Sequence, residues 1–89
     1  MKRAVCAVFD SAVNLYGQPI FVPSVGAALR SFIDEVNNRE SAMCAHPEDY
    51  VLFYLADYDD ETGEFSPTER GIVSLARGKD VQRDAKENA

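Results

Sequence analysis

The sequence has no tryptophan, one histidine and only two cysteines in 89 residues. Two cysteines form at most one disulfide, which is too few for the cross-linked scaffold of a small secreted domain. We therefore expect reduced thiols. Cys6 lies inside an apolar segment, where a free cysteine behaves as a small buried hydrophobe.

Long apolar runs are also missing. The two longest, residues 4–9 and 50–56, are far shorter than the roughly 20 residues that a membrane-spanning helix needs. The first run follows a basic Met1-Lys2-Arg3 start, but Asp10 ends it before it reaches the length of a signal-peptide core. We expect neither a signal peptide nor contact with a membrane.

Basic charge is scarce, with nine Lys and Arg against 15 Asp and Glu and a net charge of −6. The excess of acidic over basic residues is concentrated in residues 41–70, where eight carboxylates accompany Arg70 alone. A partner rich in phosphate would require the opposite sign. DNA binding by the folded body is therefore disfavoured, and the mildly basic end beyond residue 70 is the better place for a phosphate contact.

Motifs for catalysis or for a cofactor do not stand out. Cys44 and His46 lack the closely spaced Cys and His pairs of zinc sites. The acidic run that starts at Asp57 imitates a calcium loop, but Thr62 occupies the position that requires glycine. The five glycines match no phosphate-binding loop. We expect no metal, no cofactor and no enzymatic activity.

Four strands and one helix are predicted. Arg3–Phe9 and Tyr50–Ala56 are apolar at nearly every position, which is typical of central strands covered on both faces. Gln18–Val22 lies between two prolines and is predicted at a sheet edge. Gly71–Ala76 is a candidate fourth strand.

The helix is predicted over residues 24–37. Apolar residues recur at helical spacing from Val25 to Val36, leaving the other side of the helix polar. Ser24 is a suitable N-cap, and Asn37-Asn38 suits a left-handed termination. A helix with one apolar side needs a sheet to pack against.

These elements predict a single α+β domain over residues 1–78. A ββαβ(β) chain with a right-handed crossover forms a small antiparallel sheet of order 2-1-3-4, with the helix packed on one face. Residues 79–89 alternate charged and polar side chains without apolar periodicity, and are predicted to form a flexible charged tail.

A single helix leaves one apolar sheet face uncovered, because alternate residues of the 50–56 strand point to opposite sides. The simplest cover is a second copy of the chain, so we expect self-association as a dimer. The nine aromatic residues could alternatively stack unpaired bases, although core packing is their commoner role. The predicted interaction residues are Tyr50, Leu52, Tyr54, Glu48, Asp49 and Arg30.

Several segments resemble the small nonstructural protein of gokushovirus-type microviruses, bacteriophages with small circular single-stranded DNA genomes. The most specific is the run from His46 to Leu55 (HPEDYVLFYL), followed by a Tyr58-Asp59-Asp60 and Thr62-Gly63-Glu64 turn. Ala56 departs from the glycine expected before that turn. The remaining matches are Ala7-Val8-Phe9-Asp10, Pro19-Ile20-Phe21, Ala27-Ala28-Leu29-Arg30-Ser31-Phe32 and Val36-Asn37-Asn38.

The resemblance implies a non-capsid accessory protein in the host bacterial cytoplasm, acting in the synthesis or packaging of single-stranded DNA. The resemblance implies no catalytic residues for this chain. One hypothesis is a factor that works through contacts with viral or host replication or assembly proteins. The alternative is a direct single-stranded DNA-binding protein that uses sheet aromatics and the basic C-terminal end.

Overall fold

The computed structural model describes residues 1–83. Its strands are β1 (Lys2–Asp10), β2 (Leu15–Tyr16), β3 (Ile20–Val22), β4 (Tyr50–Asp59), β5 (Phe65–Ser66) and β6 (Val73–Arg77). Its helices are α1 (Val25–Val36), α2 (Ala42–Ala45) and α3 (Gly78–Val81), with a 3₁₀ turn at Pro47–Asp49. No helix within residues 1–83 is long and apolar enough to cross a membrane.

The sheet is antiparallel, with β1 and β4 paired at its centre. The outer side of β1 pairs with β2 near one end and with β3 near the other. The outer side of β4 likewise pairs with β5 and β6. The order β3-β1-β4-β6 is the predicted 2-1-3-4 arrangement, so the α+β fold is confirmed and both apolar strands are central.

The predicted helix is present as α1. The Ser24 hydroxyl accepts a hydrogen bond from the backbone N–H of Ala27, which caps the first turn. The apolar side of α1 buries Phe32 and Val36 against Cys6 of β1 and Leu52 of β4. Burial of this side against the sheet stabilises the helix more than its intrinsic propensity does.

The prediction that α1 ends in a left-handed residue at Asn37-Asn38 is wrong. Asn37 has a φ of −99°, and its side-chain amide satisfies the helix end instead. Its Nδ2 donates to the carbonyls of Ile33 (2.8 Å) and Val81 (3.2 Å), and its Oδ1 accepts from the N–H of Arg83 (2.7 Å). These bonds to a distant segment take the place of a left-handed residue.

The third predicted strand is longer than expected. β4 continues past Ala56 to Asp59 because Asp57–Asp59 pairs with the start of β1. The register shifts once, opposite Val5 and Cys6, and leaves Leu55 without a partner on β1. Gly63, with a φ of +77°, occupies the following turn as predicted.

Residues 78–83 continue the folded domain. Val81 of α3 packs beside the core under α1, and Gln82 donates from Nε2 to the carbonyl of Cys44 at 2.7 Å. A flexible charged tail was predicted over residues 79–89, so its first part coincides with α3 and the two residues after it. Residues 84–89 lie outside the described part of the chain.

Candidate functional site

The candidate site is the sheet face opposite the helices, which we call the helix-free face. Ala4 and Cys6 of β1 lie in the core under α1, whereas the alternate residues Val5 and Ala7 do not belong to that core. Met43 of α2 and Val81 of α3 pack beside the same core, so the three helices lie on one side of the sheet. Directly paired residues share a face, which places on the helix-free face Arg3, Val5, Ala7, Phe9, Tyr16, Phe21, Val51, Phe53, Ala56, Tyr58, Phe65, Ser74 and Arg77.

Two aromatic clusters lie on this face and contain six of the nine aromatic residues. The first is the Phe9 triad, in which the ring of Phe9 lies 4.9 Å from Tyr16 and 6.3 Å from Phe53, measured between centroids, and the rings of Tyr16 and Phe53 lie 5.5 Å apart. All three contacts are edge to face, a favourable aromatic geometry.

The second cluster is the Phe21 triad, at the opposite end of β1. The ring of Tyr58 lies 5.1 Å from Phe21 and 4.8 Å from Phe65. The rings of Phe21 and Phe65 lie 6.0 Å apart. This triad joins three strands, because Tyr58 belongs to β4 and its neighbours belong to β3 and β5.

The triads leave a large apolar area in contact with water. Tyr16 is 45% exposed, Phe21 46% and Phe65 60%, whereas Val5 and Ala7 on the same face are buried. Soluble monomers rarely expose a contiguous apolar patch of this kind unless it binds something.

Charged side chains lie at both ends of the face. The acidic end is the turn after β4, with Asp60, Glu61 and Glu64, and it adjoins the Phe21 triad. At the other end, beyond the Phe9 triad, Arg77 pairs with Val51 and is exposed.

The chain start neutralises part of the acidic end. The terminal amine of Met1 lies 2.9 Å from Asp60 and 2.8 Å from Glu61, and Nε of Arg3 lies 3.0 Å from Asp60. The hydrogen bond from the terminal amine lowers the pKa of Asp60, and the bond from Arg3 adds to that effect. Within residues 1–83, neither the Glu64 carboxylate nor the Arg77 guanidinium has a side-chain partner.

The strand residues of the predicted interaction site lie on the covered face. Leu52 is 1% exposed and belongs to the core under α1. Tyr50 and Tyr54 are half-buried beside the same core. The predicted alternation holds from Tyr50 to Tyr54, and α1 covers the side with Tyr50, Leu52 and Tyr54. The register shift at Leu55 then moves Ala56 to the helix-free face. The exposed side is the one that carries Phe53.

Tyr54 has a local structural contact. Its hydroxyl donates a hydrogen bond to the carboxylate of Asp57. This bond, with burial and the Asp57 charge adding to it, raises the pKa of Tyr54 to about 12. Tyr54 is therefore a neutral hydrogen-bond donor at physiological pH.

The other predicted interaction residues lie apart from the triads. Glu48 and Asp49 form part of the 3₁₀ turn before β4, where their carboxylates and the imidazole of His46 lie within 4.8 Å of one another. This group includes neither cysteine. Both cysteines are free thiols, and Cys6 is fully buried as predicted. Arg30 is exposed on α1, across the sheet from the helix-free face.

The sequence alone predicts only part of the two aromatic triads. Phe9 and Phe53 fall on one side of their predicted strands by simple alternation. Tyr16 and Phe65 belong to two-residue strands, whose sequences carry no periodic signal. Only the pairing of these short strands with β1 and β4 reveals that their rings join the same face.

Comparison with known proteins identifies relatives of the chain. A family model described as phage ORF5 protein matches residues 3–81. Protein ORF5 of Chlamydia phage 1 is 34% identical over 73 residues, covering 78% of this chain and 76% of that protein. No solved structure matches the chain significantly. The matched region spans the sheet, all three helices and both aromatic triads, and confirms the resemblance to gokushovirus-type microviruses: the chain belongs to the phage ORF5 protein family.

Proposed function

We propose that the protein is a non-enzymatic accessory protein of the microvirus. It acts in the host cytoplasm and assists the synthesis or packaging of single-stranded DNA through protein–protein contacts. The helix-free face, with its two aromatic triads in contact with water, is the observation that carries this proposal. Aromatic side chains are enriched at protein interfaces, where a few of them supply most of the binding energy.

Charge favours a protein partner over DNA at this face. The Phe21 triad adjoins the acidic end, where carboxylates repel the phosphates of a nucleic acid. The basic groups nearest to it, the Met1 amine and Arg3, are engaged with Asp60 and Glu61. An apolar face with acidic side chains at its rim suits a protein with an apolar centre and basic edge residues.

Infection with a phage that lacks the gene tests the role. We expect replicative double-stranded DNA to accumulate, while encapsidated single-stranded DNA falls. Supplying the intact protein from a plasmid restores single-stranded DNA, whereas Phe21→Glu does not. A phage that produces normal amounts of both DNA forms without the gene contradicts the proposal.

Leu15→Glu is the matched control. Leu15 is 65% exposed and pairs with Asp10, so it points to the face opposite its neighbour Tyr16. The Leu15→Glu substitution therefore adds the same charge as Phe21→Glu, at an exposed apolar position outside the helix-free face. We expect this variant to restore single-stranded DNA as well as the unchanged protein does.

The second candidate is a direct single-stranded DNA-binding protein. The exposure of Tyr16, Phe21 and Phe65 favours it, because exposed rings are the platforms on which unpaired bases stack. In this case Arg77 and the basic C-terminal end would supply the phosphate contacts. The salt dependence of DNA binding separates the two candidates.

A further inference from the structure

We propose that the helix-free face is the interface of a symmetric homodimer, in which two sheets pack face to face with their β1 strands antiparallel. The Phe9 triad of each copy then packs on the Phe21 triad of the other. This inference deepens the proposed function and rests on it only in assigning the face to protein rather than DNA. The occupant it names is a second copy of the chain.

The size of the face reaches the lower end of the range for a dimer. The nine residues of β1, at about 3.3 Å each, and four strands at about 4.8 Å spacing define a footprint of about 500 Å². Two such faces bury about 1,000 Å², the lower limit for a specific interface. Sheets packed in this way lie about 10 Å apart with their strands nearly aligned.

The apolar content of the face matches a sheet-on-sheet core. Val5 and Ala7 are small and lie between the two triads, whereas Tyr16, Phe21 and Phe65 are half to three-fifths exposed at the two ends. Val5 and Ala7 are already covered within one chain, so the surface that a second copy contacts consists of the rings themselves. Packing of this kind removes the three most exposed rings of the face from water.

Charge selects the antiparallel orientation. Arg77 lies at one end of the face and the carboxylate of Glu64 at the other, and neither has a side-chain partner within residues 1–83. Antiparallel packing brings Arg77 of one copy to the acidic end of its partner, twice by symmetry. Parallel packing would bring the two acidic ends together, and like charges in contact disfavour that arrangement.

Sedimentation equilibrium of the purified full-length protein over a range of concentrations tests the dimer. We expect the unchanged protein and Leu15→Glu to be dimeric at micromolar concentration. Phe21→Glu is expected to raise the dissociation constant by roughly tenfold or more, as loss of a buried aromatic anchor does. Circular dichroism confirms that each variant remains folded. A folded protein that stays monomeric at all concentrations overturns the proposal, as does equal weakening by Phe21→Glu and Leu15→Glu.

Cross-linking tests the orientation. Cys44→Ser in all chains removes the half-buried thiol and leaves only the fully buried Cys6. Chains that carry Phe21→Cys are then mixed with chains that carry Tyr16→Cys and treated with a short bismaleimide, because antiparallel packing places β2 of one copy opposite β3 of the other. Antiparallel packing predicts a linked product in the mixture and little in either chain alone. Absence of the linked product from a mixture that sedimentation shows to be dimeric overturns the antiparallel arrangement.

The outcome for the dimer is distinguishable from that for the proposed function. A monomeric protein whose loss still reduces single-stranded DNA rejects the dimer and retains the accessory role. A dimeric protein whose loss leaves DNA production normal retains the dimer and rejects the accessory role. Single-stranded oligonucleotide that displaces the second copy at equal concentration would overturn the protein assignment of the face.

Discussion

Gly78 shows at the residue scale how the C-terminal part of the domain is held against the rest. It is buried at the start of α3, and a Cβ atom at this position would lie 2.4 Å from the carbonyl oxygen of Pro47. That oxygen belongs to the backbone of the 3₁₀ turn, which cannot swing away as a side chain can. Glycine is therefore required here by close approach and not by an unusual φ.

We expect Gly78→Ala to lower the free energy of unfolding by about 1–3 kcal/mol, the usual cost of forcing an extra group into a packed site. Gly26→Ala is the control, because its Cβ would meet nothing closer than the Ser24 hydroxyl at 3.8 Å. In α1 that change is expected to stabilise the protein by up to about 1 kcal/mol. Urea denaturation measures both. Equal effects of the two substitutions would contradict the close approach of α3 to the turn.

Tyr54 provides a second prediction at this scale. Because the hydrogen bond to Asp57 raises its pKa to about 12, Asp57→Ala should lower that pKa towards the ordinary value of about 10. Tyr50 serves as an internal control, because burial and then the charges of Asp10 and Asp49 raise its pKa. The tyrosine ring resonances, followed by NMR at alkaline pH, report each group separately.

The sign of the effect on stability follows from the raised pKa of Tyr54. The folded state holds the phenol proton more tightly than the unfolded state does, so the stabilisation is complete below pH 10. It is lost as the pH rises from about 10 through about 12. Asp57→Ala should reduce this loss of stability. If the free energy of unfolding falls equally between about pH 10 and about pH 12 in the Asp57→Ala variant and the unchanged protein, the bond does not form in solution.

At the element scale, α3 depends on contacts that its own sequence does not reveal. It has only four residues, too few to be stable alone. Asn37 at the end of α1 holds the segment after it, by donating to the carbonyl of Val81 and accepting from the N–H of Arg83. Val81 adds apolar contact beside the core under α1.

Asn37→Ala should therefore destabilise the protein by about 1–3 kcal/mol, since it removes the side-chain partner of the part-buried Ile33 and Val81 carbonyls. We also expect the amides of residues 78–83 to lose protection from hydrogen exchange. Asn38→Ala is the control, because within residues 1–83 the Asn38 side chain accepts a local bond from the N–H of Glu40 and makes no hydrogen bond with α3. Protection of residues 78–83 that is equal in both variants would contradict the role of Asn37.

At the scale of the whole molecule, the distribution of charge limits what the protein can bind. The net charge is −6, and residues 41–70, with eight carboxylates and one arginine, account for all of it. Much of that segment forms β4 and the acidic end, at the middle and rim of the sheet. The positive side chains beyond residue 70 are diluted by acidic neighbours. A nucleic acid approaching the aromatic triads would meet carboxylates as well as rings.

Binding to single-stranded DNA should therefore be weak and fall steeply with salt, with a log–log slope of roughly −0.7 for each phosphate contacted. Neither Tyr16→Ala nor Leu15→Ala should change the affinity for single-stranded DNA in a gel-shift titration. If bases stack on the helix-free face, Tyr16→Ala alone would cost about 1–3 kcal/mol. Tight binding that persists in about 0.2 M salt would favour the DNA-binding alternative.

Much of the fold could be read from local patterns. The spacing of apolar residues from Val25 to Val36 locates α1, and Ser24 marks its start. The two fully apolar segments identify the central strands, and the prolines around β3 assign it to an edge. The segment from His46 to Leu55 identifies the family. Each of these depends on neighbouring residues only, which is why the sequence by itself determines them.

Tertiary structure decided the rest. Residues on both sides of β4 are apolar, so alternation cannot say whether α1 covers the Leu52 side or the Phe53 side, and the site depends on that choice. β2, β5 and α3 are too short to carry a pattern and form only because β1, β4 and Asn37 supply their partners. The aromatic triads join residues that are far apart in sequence, so only the pairing of strands brings their rings onto one face.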